Sequence, residues 1–176
     1  MNDNMDNIVF ITGGARSGKS DFALELGSRI NGRKGFIATA EASDEEMRER
    51  IAMHRKSRST EWETIEEPLA LCERLKKIDC SLDVLIVDCL TLWLSNLLMR
   101  NEGNEYITQE IAYMVSTLKG LSCRVIAVSN EVGQGIVPEN KVARVYRDLC
   151  GLMNRKVAGI ADEVYLVTCG IPLKIK

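Results

Sequence analysis

The segment Gly13-Gly-Ala-Arg-Ser-Gly-Lys-Ser20 fits the spacing G-x-x-x-x-G-K-[ST]. In such a segment glycines let the backbone curl so that successive N–H groups face phosphate oxygens, and the helix that follows adds its N-terminal partial charge. Lys19 is then placed to bridge the β- and γ-phosphates of a nucleotide, and the Ser20 hydroxyl to ligate Mg²⁺. Gly13, Gly14, Ala15, Arg16, Ser17, Gly18, Lys19 and Ser20 are therefore the candidate nucleotide cradle. The apolar run Ile8–Ile11 before it and an amphipathic stretch behind it supply the strand–loop–helix context that a chance Gly-rich turn lacks. Such a loop needs an acid at the end of another strand. Leu85-Ile-Val-Asp88 offers one, with Asp88 set to hold the metal directly or through water; the alternative is a solvated loop aspartate.

His54 is the only histidine. It follows Ile51 and Met47 at helical spacing, with Arg50 and Arg58 one turn to either side and Arg55 and Lys56 adjacent. Imidazole, with an intrinsic pKa of about 6.5, offers a neutral nucleophilic nitrogen near neutral pH, and guanidiniums around it gather phosphates. On spacing alone, a reactive histidine and a surface or satisfied core histidine both stay open.

The elements that must position these residues alternate. Strands are predicted at Ile8–Thr12, Gly35–Thr39, Val84–Asp88, Val125–Asn130 and Val164–Thr168, each nearly all apolar, as suits a parallel sheet covered on both faces. Helices are predicted at Lys19–Ile30, Asp44–Ser57, Pro68–Ile78, Thr91–Met99, Tyr106–Leu118 and Pro138–Ile160. Ser43-Asp-Glu-Glu46 reads as a capping box, and Pro68 and Pro138 as first helical residues. The pattern argues for an α/β, P-loop NTPase-like doubly wound domain with a mostly parallel sheet and flanking helices. Its tail, Gly170-Ile-Pro172 and then Leu173–Lys176, could turn back as an antiparallel edge strand.

A chain of 176 residues fits one domain, residues 1–176, with residues 1–7 expected as a flexible leader. A hydrophobic share of 45% and a charged share of 27% suit a globular core, and a net charge of −2 gives no basic field for nucleic acid. No apolar run approaches the ~20 residues of a membrane span, and the polar start lacks a signal peptide's pattern. Six cysteines without a C-x-x-C pair read as reduced thiols, so a cytoplasmic location is expected.

A regulatory GTPase fits poorly. The D-x-x-G at Asp148-Leu-Cys-Gly151 falls inside a helical pattern, and Asn140-Lys141 is followed by Val and Ala instead of x-Asp. More of the chain bears on identity: Ile37-Ala-Thr-Ala40, Arg50-Ile-x-x-His54-x-x-x-Arg58 with Trp62 and Glu66, Val87-Asp-Cys-Leu-Thr-Leu-Trp-Leu-Ser-Asn-Leu-Leu98, Ser129-Asn-Glu-Val-Gly-Gln-Gly-Ile-Val-Pro-Glu-Asn140 and the ending from Ala161 to Lys174. With the phosphate loop, these segments resemble the bifunctional adenosylcobinamide kinase / adenosylcobinamide-phosphate guanylyltransferase family of adenosylcobalamin biosynthesis, from Ile8 to Lys176. The resemblance implies that His54 carries GMP covalently. It also implies that Arg55, Lys56, Ser57, Arg58, Ala38, Thr39, Ala40, Glu66 and Asp88 contact the guanine nucleotide. Met53 stands where some relatives carry a second histidine, and Pro172 where relatives vary.

The implied partners are GTP, ATP, adenosylcobinamide and adenosylcobinamide phosphate, with Mg²⁺ on Ser20 and Asp88. A homotrimer is implied too, the apolar helix Leu92–Leu98 being either its contact surface or core. Asn130 and Glu131 either line the cleft or pack a loop. The rivals are a monofunctional kinase with a structural His54 and a nucleotide-binding regulator without group transfer.

Overall fold

A computed structural model describes residues 7–42, 45–56, 59–78, 82–100 and 103–176; within these the side chains of Met47, Arg50, His54 and Lys56 are not described. The elements in chain order are β1 (Ile8–Gly13), α1 (Lys19–Ser28), β2 (Lys34–Ala38), α2 (Glu45–Lys56), β3 (Trp62–Glu66), α3 (Leu71–Ile78), β4 (Val84–Asp88), α4 (Leu90–Met99), α5 (Asn104–Lys119), β5 (Arg124–Val128), α6 (Lys141–Ile160), β6 (Glu163–Thr168) and β7 (Ile171–Lys174). They form one seven-stranded sheet in the order β3-β2-β4-β5-β1-β6-β7. Every pairing is parallel except β6 with β7, which is antiparallel.

The apolar strands are buried on both faces because helices cover both. Along β1, Ile8 and Phe10 join the cluster beneath α3, α4, α5 and α6, whereas Val9 and Ile11 join the smaller cluster beneath α1. β4 and β5 split the same way, with Leu85, Val87, Val125 and Ala127 on one side and Val84, Ile86, Ile126 and Val128 on the other. This alternation within uniformly apolar runs is what a central parallel strand needs. Trp93 and Leu94 of α4 are fully buried and Leu97 nearly so, which puts that side of Leu92–Leu98 in the core, while Leu92 and Leu98 stay half-buried. Among the described residues no helix is long and apolar enough to cross a membrane.

Three expectations are corrected. β3 is a strand that the apolar pattern does not predict; Trp-Glu-Thr-Ile-Glu carries two acids and lies at the sheet edge, where one flank faces solvent. It is held by parallel pairing with β2 and by Trp62 packing edge-on to Phe36, ring centres 6.4 Å apart. Pro138 does not begin α6: Asn140 caps it, its Oδ1 accepting from the Val142 and Ala143 amides at 2.8 and 3.1 Å. Pro68 likewise precedes α3, whose first turn is entered through Glu67, its Oε1 accepting from the Ala70 amide at 2.8 Å. The tail does return as an edge strand, through a turn at Cys169-Gly170 with φ of 52° and 78°, the left-handed pair that a tight hairpin requires. The capping box at Ser43-Asp44 lies outside the described residues.

Candidate active site

β1 ends at Gly13 with φ 152°, and a Cβ there would sit 2.2 Å from the Val167 carbonyl oxygen, so only glycine fits this exit. The loop turns again at Arg16 and Gly18, with φ of 54° and 92°, and α1 starts at Lys19. Two neighbours brace it: the Glu131 amide donates to Gly13 O at 2.9 Å and the Gly170 amide to Ser17 O at 3.0 Å. Lys19 is only 6% exposed. Its Nζ donates to Gly14 O at 2.6 Å and to Ser17 Oγ at 3.4 Å, which places the ammonium inside the curl of the loop. Gly14, Ala15 and Arg16 form the exposed rim.

Ser20 Oγ donates to Asp88 Oδ2 at 2.7 Å, joining the start of α1 to the end of β4. These are adjacent hard oxygen donors of the kind Mg²⁺ accepts when nucleotide phosphates and water complete its shell. Thr39 supports this acid. Its amide donates to Asp88 O at 3.1 Å. Its hydroxyl donates to Cys89 O at 2.7 Å and accepts from the Cys89 amide at 2.8 Å. The Asp88–Cys89 peptide so held is cis. Asn96 of α4 donates to Thr39 O at 2.8 Å and to Pro68 O at 3.0 Å, tying the ends of β2 and β3 to the core. The Cys89 thiol is pushed up by burial and then by the negative charge of Asp88.

A second region opens beside the first. Strand register lines up Glu66, Ala38 and Asp88 along the C-terminal edge of β3, β2 and β4. An open cleft of about 860 Å³ lies there, walled by Ala40, Glu41, Arg48, Ile51, Arg55 and Glu66 among others. Arg55 pairs with Glu66 at 3.1 Å, tying α2 to the end of β3, and Arg100 with Glu41 at 3.5 Å. Among the described side chains of α2 only Ile51 is half-buried; the rest are exposed.

The structure thus gathers Gly13–Ser20 with Asp88, Ala38 and Thr39, and sets Ala40, Arg55 and Glu66 around the neighbouring cleft. Thr39 is fully buried, with its amide, carbonyl and hydroxyl all engaged inside the protein. His54 and Lys56 lie on α2, but their side chains, and the whole of Ser57 and Arg58, are outside the described residues. Sequence reasoning gives Asn96 no role of its own and reads Gly170 only as part of a turn, because each acts through contacts distant in the chain; the run Leu92–Leu98 reads as an apolar helix.

Residues 9–175 match the family described as cobinamide kinase / cobinamide phosphate guanyltransferase. The chain is 41% identical, over 94% of its length and 95% of the relative's, to the bifunctional adenosylcobalamin biosynthesis protein CobP of Pseudomonas aeruginosa. It is 36% identical to the Escherichia coli protein CobU of the same description, over 96% of this chain and 99% of that one. Among solved structures it resembles the flagellar accessory protein FlaH of Methanocaldococcus jannaschii, with TM-score 0.50, 13% identity and coverage of 92% of this chain and 70% of that one. It likewise resembles a prototypical ATPase from the type III secretion system of pathogenic bacteria, with TM-score 0.51, 14% identity and coverage of 93% and 52%. Those two likenesses show the α/β fold alone. The sequence relatives, matched nearly end to end, show more: the chain belongs to the cobinamide kinase / cobinamide phosphate guanyltransferase family and carries both activities in adenosylcobalamin biosynthesis.

Proposed function

We propose that the phosphate loop performs the kinase reaction and that His54 carries the guanylyl group in the transferase reaction. The hydroxyl on the aminopropanol arm of adenosylcobinamide attacks the γ-phosphate of ATP or GTP, and Lys19 with the loop amides takes up the charge that develops on the transferring group. Ser20 and Asp88 would hold Mg²⁺, which when bound neutralises charge on the β- and γ-phosphate oxygens. In the second reaction an imidazole nitrogen of His54 attacks the α-phosphorus of GTP. A P–N bond forms, the bond to the bridging oxygen breaks, and pyrophosphate leaves. A phosphate oxygen of adenosylcobinamide phosphate then displaces the imidazole to give adenosylcobinamide-GDP. Splitting the transfer in this way is nucleophilic catalysis with ping-pong kinetics.

The observation that carries this reading is the Arg55–Glu66 pair at 3.1 Å, which fastens the residue after His54 to the same sheet edge that bears Asp88. Arg55, with Lys56, Ser57 and Arg58, is the anchor for the triphosphate, and Ala40 and Glu66 line the nucleoside, while buried Thr39 acts from behind by holding the chain after Asp88. Both reactions are assigned to one domain spanning the chain, working as a homotrimer in the cytoplasm.

The test is His54→Asn. The variant is expected to make no adenosylcobinamide-GDP while still phosphorylating adenosylcobinamide, since the loop and Asp88 are untouched. Continued guanylylation by His54→Asn would sink the assignment.

A further inference from the structure

We propose that Glu131 is the general base that takes the proton from the substrate hydroxyl in the kinase reaction, a role that rests on the phosphate-loop assignment. In the sheet, β5 lies between β1, which carries the loop, and β4, which carries Asp88. The segment leaving β5 at the C-terminal edge therefore emerges between loop and acid, beside the terminal phosphate of a nucleotide held by Lys19. The chain there reads Ser129-Asn-Glu131.

The first two of these residues are consumed by the fold. Ser129 Oγ donates to Asn154 Oδ1 at 2.6 Å, and Asn154 Nδ2 donates to Asn130 O at 3.0 Å. Asn130 Nδ2 donates to Thr91 Oγ1 at 2.8 Å. Glu131 is the first residue left over. Its amide donates to Gly13 O at 2.9 Å, which pins its backbone against the first residue of the loop. Its Oε1 accepts from the Gly133 amide at 2.7 Å, which orients the carboxylate. Among the described residues, Oε2 takes no hydrogen bond and no cation pairs with the group.

Other carboxylates at this edge are engaged elsewhere. Asp88 accepts from Ser20, Glu66 pairs with Arg55, Glu41 pairs with Arg100, and Glu67 caps the start of α3. Asp88 is committed with Ser20 to the metal, so Glu131 is the carboxylate beside the loop that is left with a free oxygen for proton transfer.

The chemistry is selective for one of the two reactions. A hydroxyl must lose its proton as its oxygen bonds to the γ-phosphorus. Glu131 accepts that proton while the bond to the β–γ bridging oxygen breaks and the nucleoside diphosphate departs; the carboxylic acid then releases the proton to water. Neither a neutral imidazole nor an ionised phosphate oxygen needs such a base, because the attacking atom carries no proton to lose.

Glu131→Gln separates the base from the loop brace, since its amide oxygen can still accept from Gly133. The two readouts are the pH profile of adenosylcobinamide phosphorylation and, on the same preparation, guanylylation of adenosylcobinamide phosphate. Phosphorylation is expected to fall by roughly 100- to 10,000-fold and to lose its acidic limb, while guanylylation falls far less. Formate added to Glu131→Ala is expected to restore part of the phosphorylation. A Glu131→Gln protein that phosphorylates at the wild-type rate would overturn the proposal alone. So would parallel loss of both reactions without formate rescue, which would mark Glu131 as loop packing. A Lys19→Ala protein that phosphorylates at the wild-type rate would overturn the phosphate-loop assignment and this proposal with it.

Discussion

The phosphate loop and helix α2 both serve nucleotide chemistry, yet one is built before the ligand arrives and the other is left open. At the loop, Lys19 is buried and hydrogen-bonded, Ser20 and Asp88 already touch, and Gly13 and Ser17 are pinned by the segment after β5 and by the β6–β7 turn. At α2, the described side chains are almost all exposed, and the helix is fastened by an Arg55–Glu66 pair whose partners are 62% and 51% exposed. The difference matches the demands of the two chemistries. Phosphoryl transfer gains most from fixed dipoles that need no reorganisation at the moment of reaction. A nucleophile that is loaded by one substrate and unloaded by a bulkier one needs access on both occasions.

The largest effect expected from breaking this contrast is at Lys19. Lys19→Ala removes a preorganised charge, and phosphorylation of adenosylcobinamide should drop at least ~100- to 1,000-fold with the circular dichroism spectrum unchanged. Near-normal turnover would show that the loop does not hold the transferring phosphate. Gly13→Ala should cost roughly 1–3 kcal/mol in urea unfolding, because its Cβ must displace the Val167 carbonyl.

Thr39→Val sharpens the comparison from inside. Loss of the hydroxyl strands the buried Cys89 amide at a cost of about 1–3 kcal/mol, while the Cys89 carbonyl keeps the Leu92 and Trp93 amides. It should also raise the Mg²⁺ concentration needed for phosphorylation, since the chain after Asp88 is no longer clasped; Thr39→Ser should restore both. The smallest effect on stability is expected at the open site: Arg55→Ala should change unfolding by no more than about 1 kcal/mol, as exposed ion pairs do. The same change should raise the GTP requirement of guanylylation while leaving the KM for ATP in phosphorylation nearly constant. A stability loss comparable with that of Gly13→Ala would mean α2 is as tightly built as the loop.

Legibility in the sequence divides along the same line. β1, β2, β4 and β5 announce themselves as apolar runs because both faces are covered, and the loop is legible because its function depends on local spacing. β3 is not, since an edge strand needs no such run. Nor does spacing reveal that Thr39 clasps Cys89, that Asn96 joins two loops, or that Gly170 and Glu131 brace the cradle. These contacts exist only once parallel register brings the strand ends into line. His54 stands out by being the only one of its kind, and its role comes from resemblance, because a single residue on an exposed helix carries no spacing rule of its own.

The most direct test of the division of labour is to load the wild-type protein with GTP radiolabelled at its α-phosphate, digest it, and map the label. A single labelled peptide spanning α2, with the modification on His54, is expected. The phosphoramidate should release GMP in mild acid and keep it in base. An acid-stable label, or one on the phosphate-loop peptide, would contradict the account.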